Sequence, residues 1–435
     1  MKLKYLILTG LALLIALASA AVISATQEAR AQGPSAGTQL VGGLLSPRGM
    51  AIGPGGMIYV AEAGTGGDIV NTNPTTGDNR YHSGFTGRIS KVDPATGTRT
   101  TVADKLPSTT HPREGTDGPA DVAFIGSQLY YLQSEAGTQF GFPSNPSGVY
   151  KVNANGTVTL VGDIGAFTRA NPVNDAKSGL QKDVSPDGVP YSMTARDGAF
   201  YVVDGNQNQV MKVTTSGIIT RLNEFPGHPV TTGITYSGAG PFYVAVFGQF
   251  PFAPADGKVY RVGVPTGAVS TVASGFSALT DVEFGPGGKL YALQFADQAS
   301  APNGPPLAIG TGKILGVDLS TGKLTPLVNG LTLPTALMFS GDTAYVSNGG
   351  AFVPDGAIWK ITGFSALAPI TLAPTAVPAA PTATPKVGVI SAPKTGTGGA
   401  AGGSLDGWLA TMLALSAAGA VAVFAGTRMI WKRDA

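Results

Sequence analysis

Gly49-Met-Ala-Ile-Gly-Pro-Gly-Gly-Met-Ile-Tyr59 and Asp281-Val-Glu-Phe-Gly-Pro-Gly-Gly-Lys-Leu-Tyr291 carry one pattern: a short apolar strand, a Gly-containing tight turn, and a second strand built on a tyrosine. The same pattern returns at residues 121–130, 192–201, 233–243 and 336–345. Recurrence of this kind marks a repeat architecture. Pro-Gly-Gly and Asp-Gly between apolar runs mark hairpins, because glycine accepts φ > 0. A second hairpin follows after a loop of variable length, at residues 87–102, 148–161, 209–222, 257–272 and 312–328. Two hairpins make a four-stranded antiparallel sheet, the blade of a propeller. The last repeat stops after Gly356-Ala-Ile-Trp-Lys-Ile361 and lacks a fourth strand. Thr38-Gln-Leu-Val-Gly-Gly-Leu44, ahead of the first repeat, reads as that strand, and pairing it there removes an open edge. A β-sandwich gives no reason for six tyrosine-centred repeats. The expected fold is an all-β, six-bladed β-propeller over residues 32–367.

Composition agrees. Glycine takes 62 of 435 positions and only 12% of residues are charged, which suits many tight turns joining short strands. Cysteine is absent, so disulfides and thiolate chemistry are excluded. A net charge of +2 leaves no basic face for nucleic acid.

The two ends read as export and anchoring segments. Lys2 and Lys4 precede an apolar run, Tyr5 to Ala18, too short to span a bilayer comfortably. Small-residue cleavage sites follow at Ala18-Ser19-Ala20 and Ala29-Arg30-Ala31, and residues 1–31 read as a signal peptide. Residues 368–403, dominated by Pro, Ala, Thr and Gly, read as an extended spacer. Residues 404–427 read as a transmembrane helix, its Trp408–Thr427 stretch free of charge, and residues 428–435 as a basic cytoplasmic tail. Arg428, Lys432 and Arg433 put the tail inside and the bulk of the chain outside. The expected product is exported and single-pass, a monomeric ectodomain held at the cell surface through the membrane.

Two resemblances follow from these stretches. Pro393-Lys394-Thr395-Gly396, then glycines, an apolar segment and a basic tail, resembles a sortase sorting signal, with Ala392 in place of the usual leucine. Covalent sorting to the wall and simple membrane anchoring both stay open. Residues 45–64, 118–122, 244–252, 257–262 and 273–288 resemble the propellers of scytonemin gene clusters, the ScyD/ScyE-type family, over roughly residues 38–362. The repeats taken singly also resemble those of NHL and gluconolactonase-like propellers. The family resemblance implies an extracytoplasmic propeller without an assigned reaction. The sorting tail departs from the family pattern, as does Ala120 where a histidine is expected.

Propellers bind ligands at the mouth of the central tunnel. Three residues after the repeat tyrosines stand Glu62, Asp204, Gln294 and Asn348, with Gln133 and Val246 at the other two places. A second layer holds Arg48, Asp121, Tyr191 and Asp281, while Glu135 lies two residues beyond its repeat position. Carboxylates and amides suit a hard cation, so Glu62, Asp204 and Asn348 are candidate Ca²⁺ or Mg²⁺ ligands, with Arg48 placed for an anion. The plainer expectation is that such residues satisfy loop amides and line a wet channel. His82, His111 and His228 are expected in loops, off the tunnel, and their spacing suggests no catalytic triad. The acidic and amide-rich loop 64–84 does not match a 12-residue calcium loop. Phe247, Phe250 and Phe252 are candidates for an apolar patch or a cover on the tunnel rim. The reading is a binding or scaffolding module for an extracellular protein, glycan or small molecule. Its alternative is a metal-dependent, lactonase-like hydrolase; a quinone-dependent dehydrogenase ranks third, without a cofactor motif.

Overall fold

The structure is a computed structural model that describes residues 36–370 apart from 73–76, 78, 113–114, 179–184, 250–252, 299–306 and 353–354. The expected signal, sorting-like motif and membrane helix, and the spacer beyond residue 370, lie outside the described residues, as do Phe250 and Phe252. Among the described residues no helix is long and apolar enough to cross a membrane.

The chain is nearly all β, arranged in four-stranded antiparallel sheets as in a β-propeller. The first sheet is built on Pro47–Ile52, Ile58–Glu62, Tyr81–Val92 and Arg99–His111. The second runs Pro119–Ile125, Gln128–Gln133, Gly148–Val152, Val158–Asp163, and the third Pro190–Arg196, Ala199–Asp204, Gln209–Thr214, Ile219–Glu224. The fourth takes Thr231–Tyr236, Phe242–Val246, Gly257–Val262 and Val269–Phe276; the fifth takes Leu279–Phe284, Leu290–Gln294, Gly312–Val317 and Leu324–Leu331. The last joins Ala336–Ser340, Thr343–Asn348 and Gly356–Thr362 to Thr38–Leu44, which comes from the other end of the chain. Thr38 stands opposite Lys360 and Leu44 opposite Gly356, so the expected closing strand is in place.

The first strand of each sheet neighbours that of the next, and the last returns to the first. Apolar clusters fill the gaps between successive sheets. One joins Leu44, Tyr345 and Ile358 of the last sheet to Ile58, Val60 and Val92 of the first. The repeat tyrosines owe their place to these gaps: five of the six meet an aromatic ring of the following sheet, and Tyr345 packs among Ile58, Val60 and Val92. The ring pairs are Tyr59–Phe124, Tyr130–Phe200, Tyr201–Phe242, Tyr243–Phe284 and Tyr291–Phe339, with centroids 4.4–5.3 Å apart. Such pairs add roughly 0.5–1.5 kcal/mol each beyond burial.

Two features depart from the expected repeat. In the first sheet the third and fourth strands run on to 12 and 13 residues and are joined by the short strands Ile69–Asn71 and Gly115–Asp117. His82 and His111 therefore lie in strands of this extension, not in loops, and His111 stacks on Tyr81 with centroids 4.5 Å apart. After the second sheet come two short helices, Ile164–Ala170 and Asn174–Ser178. Asp163 caps the first by accepting from the Ala166 amide at 2.7 Å.

Candidate functional site

The first strands of the sheets enclose a tunnel of about 360 Å³. It is lined by Arg48, Asp121, Tyr191 and Asp281, four of the residues expected there, and by Glu283. Glu283 was not among the expected residues. It lies two positions beyond Asp281 on one strand, and the period of two puts both on one face. The strands enter irregularly: register shifts separate Pro47 from Met50, Pro119 from Asp121 and Pro190 from Ser192. Each shift re-aims the side chains at the strand's first residues, where Arg48 and Tyr191 stand.

Arg48 is 7% exposed. Its guanidinium donates to the Thr116 carbonyl and, at 3.5 Å, to the Tyr191 hydroxyl, with the Asp117 carboxylate 3.7 Å away. Burial works against the cation, yet Asp117, Tyr191 and Glu135 outweigh it and hold the Arg48 pKa above its ordinary value. Burial raises the Tyr191 pKa, against the pull of the Arg48 cation.

Deeper in, the carboxyls lose water and become harder to ionise. Burial pushes Asp121 up to about 7 and Glu283 up to about 8, and it carries Asp281 well above the carboxylate range. Asp121 accepts from the Met193 amide and the Ser192 hydroxyl of the next sheet, at 2.8 and 2.9 Å. Asp281 makes the matching bond to the Leu337 amide of its own next sheet at 2.8 Å. Both therefore also fasten neighbouring sheets. Close backbone approach leaves no room beside them: a Cβ on Gly49 would stand 1.8 Å from Asp121 Oδ1, and one on Gly233 2.5 Å from Asp281 Oδ1.

The structure does not gather Glu62, Asp204, Gln294 and Asn348 at the tunnel. They end the second strand of their sheets, one strand spacing (about 4.8 Å) out from the first. Each turns back to its own entering loop. Glu62 accepts from the Leu45 amide at 2.7 Å, Asp204 from Val189 at 2.9 Å, Gln294 from Ser277 at 3.0 Å and Asn348 from Thr332 at 2.7 Å. Next to these amides the chain enters the left-handed region at Ser46, Ala278 and Leu333, with φ of 51°, 51° and 44°. The side chains pin a backbone that a non-glycine residue otherwise avoids. Glu62 is further held by Arg88 at 2.7 Å and Ser90 at 2.5 Å. Glu62, Asp204 and Asn348, the expected cation ligands, thus each tie a separate entering loop. Among the described residues no group of three His, Cys, Asp or Glu is placed to hold a metal.

No family model matches the chain, and no curated protein matches it. Solved structures that resemble it include the PQQ-bound aldose sugar dehydrogenase of Streptomyces coelicolor, at 12% identity and TM-score 0.47, covering 76% of this chain and 98% of that one. The calcium-binding protein regucalcin of Agrobacterium tumefaciens matches at 13% identity and TM-score 0.48, with 75% and 93% covered. Virginiamycin B lyase of Staphylococcus aureus matches at 14% and 0.40, with 76% and 98% covered. The assignment to the β-propellers rests on the sheets themselves, and what those proteins bind or transform stays with them.

Proposed function

We propose that this chain is a six-bladed β-propeller that works outside the cell as a binding module and takes a small organic anion at the Arg48 end of its tunnel. The carrying observation is a nearly buried guanidinium set against a phenol hydroxyl at the entrance of a cavity of about 360 Å³. Charged donors in a dry site bind more strongly than in water. The resemblance of residues 45–64, 118–122 and 273–288 supports a ScyD/ScyE-type propeller. The basic flank at residues 428–435 supports an outward-facing domain held by its C-terminal segment. Protease added to intact cells then removes the propeller, and full protection would sink that topology. Titration calorimetry with small carboxylates tests the tunnel: they should bind the purified protein, and Arg48→Met should weaken them at least tenfold. Equal binding by both proteins refutes the site. The hydrolase alternative gains no observation, since Glu62, Asp204 and Asn348 are each bonded to their own entering loop.

A further inference from the structure

The chain repeats at a second, longer period. Gly49-Met-Ala-Ile-Gly-Pro-Gly-Gly-Met-Ile-Tyr-Val-Ala61 of the first sheet matches Gly233-Ile-Thr-Tyr-Ser-Gly-Ala-Gly-Pro-Phe-Tyr-Val-Ala245 of the fourth. Asp121-Val-Ala-Phe124 and Leu129-Tyr-Tyr-Leu-Gln133 of the second match Asp281-Val-Glu-Phe284 and Leu290-Tyr-Ala-Leu-Gln294 of the fifth. Tyr201-Val-Val-Asp204 of the third answers Tyr345-Val-Ser-Asn348 of the last. The structure repeats with it: Gly49 beneath Asp121 is answered by Gly233 beneath Asp281, and each aspartate bonds the following sheet. The molecule is two three-sheet halves, so what the halves share serves the fold. Where they differ, another demand has acted.

They differ at the tunnel entrance. In the second half, the residue one before the Gly/Asp/Ala position is always threonine, and its hydroxyl ties the next sheet. Thr232 donates to the Leu279 carbonyl at 2.9 Å, Thr280 to Pro334 at 3.1 Å and Thr335 to Pro47 at 2.7 Å. The first half has Arg48, Ala120 and Tyr191 at those places. It forgoes three hydroxyl ties, and Arg48 and Tyr191 meet from either side of the second sheet at 3.5 Å. The halves differ again three residues deeper, where Ala123 is answered by Glu283. Three residues of strand rise about 10 Å. The Glu283 carboxyl accepts from the Thr235 hydroxyl, and Thr194 lines the same level. Asp121 and Asp281 face the tunnel between the two levels, and the burial that disfavours charge on their carboxyls makes a second anionic group unwelcome below Arg48.

We infer that the tunnel is built for an elongated small organic acid whose carboxylate meets Arg48 and Tyr191 and whose uncharged hydroxyl meets Glu283 and Thr235 about 10 Å deeper. This rests on the tunnel-binding reading above. Arg48, Tyr191 and Glu283 select the ligand; Asp121 and Asp281 hold the wall. Burial supports the assignment by keeping Glu283 protonated below about 8, as a neutral donor and acceptor.

The probes are ω-hydroxy acids from 4-hydroxybutyrate to 8-hydroxyoctanoate, each beside its unsubstituted acid, titrated calorimetrically into the full-length protein at pH 6. The expected result is a preference for the hydroxy acid of at least fivefold, peaking at one chain length. Glu283→Ala, which copies the counterpart Ala123, reduces that preference below twofold, whereas Glu283→Gln, also a neutral donor and acceptor, keeps most of it; a preference that survives Glu283→Ala overturns the assignment. Arg48→Met weakens both series. If wild type binds the two series equally at every length, the Glu283 assignment falls while the tunnel reading stands. If neither series binds wild type, both fall. The wild-type comparison needs no variant, so a misfolded Glu283 substitution does not spare the proposal.

Discussion

Asp204 separates a loop tie from a cation ligand most sharply. It is fully buried, and its Oδ1 accepts three backbone amides, those of Val189, Asn206 and Gln207, at 2.9, 3.0 and 3.0 Å. Burial raises its pKa against the pull of those bonds. Asp204→Ala orphans three amides where water does not reach. At about 1 kcal/mol net for each lost bond, and more where a donor stays unsatisfied, the loss is about 3 kcal/mol. For a domain of some 330 residues that is roughly 4 °C in melting temperature. Asp204→Asn keeps the accepting oxygen and removes a charge that burial opposes, so it should stay within about 1 kcal/mol of wild type. Urea unfolding followed by far-UV circular dichroism measures both. If Asp204→Asn falls as far as Asp204→Ala, the charge is what matters, and the loop-tie account is wrong. An added loss of calcium-induced stabilisation in Asp204→Asn would restore the cation reading.

Three further outcomes are expected. Deleting Thr38–Leu44 exposes Gly356–Thr362 as an open edge, so the truncated protein should melt earlier and aggregate, and an unchanged melting temperature refutes the closure. Gly188 sits at φ +68°, and a Cβ there would stand 2.1 Å from Asp204 Oδ2, so Gly188→Ala should cost about 2 kcal/mol or more in urea unfolding. Glu283 and Asp121 hold protons up to about 8 and about 7 in the folded chain, against ordinary values of 4.5 and 3.8. The folded state then binds more protons than the unfolded one, so this contribution is full below about 4 and is lost as pH rises toward 8. Glu283→Gln should flatten the upper part of that fall, and an identical pH profile for both proteins counts against the buried carboxyl.

The sheets were legible because hairpin glycines and tyrosines recur in phase, and the ring pairs show what the tyrosines are for. The residues three beyond each tyrosine were legible as equivalent, but their direction was not. Whether Glu62 or Asn348 points to the axis depends on which strand is innermost, and the repeat period alone leaves that undecided. Arg48, Asp121, Tyr191 and Asp281 reached the tunnel because they lie on the first strand. Glu283 was missed although its spacing from Asp281 announces a shared face. The helix Ile164–Ala170 falls between repeats, where its only local signal was Asp163 as a cap. His82 and His111 were misplaced because their flanking Gly, Pro and Ser residues read as turns, while long-range pairing holds them extended.

The closing strand also has a mechanical meaning. Past the last sheet the chain turns at Asp342, whose carbonyl and carboxylate take the Phe364 and Ser365 amides, and its last described residue, Ile370, donates to the Pro326 carbonyl of the fifth sheet at 2.8 Å. The turn at Asp342 is at the end of the last sheet where Thr38 faces Lys360, opposite the end where the Ser347 hydroxyl holds the Arg48 carbonyl. A pull between an occupant at Arg48 and a grip on the tail runs along the strands, across ladder bonds that stand perpendicular to them. Those bonds bear the force together, in shear, rather than opening one after another. The borrowed strand Thr38–Leu44 adds its row to that load, so the last sheet meets such a pull at full width.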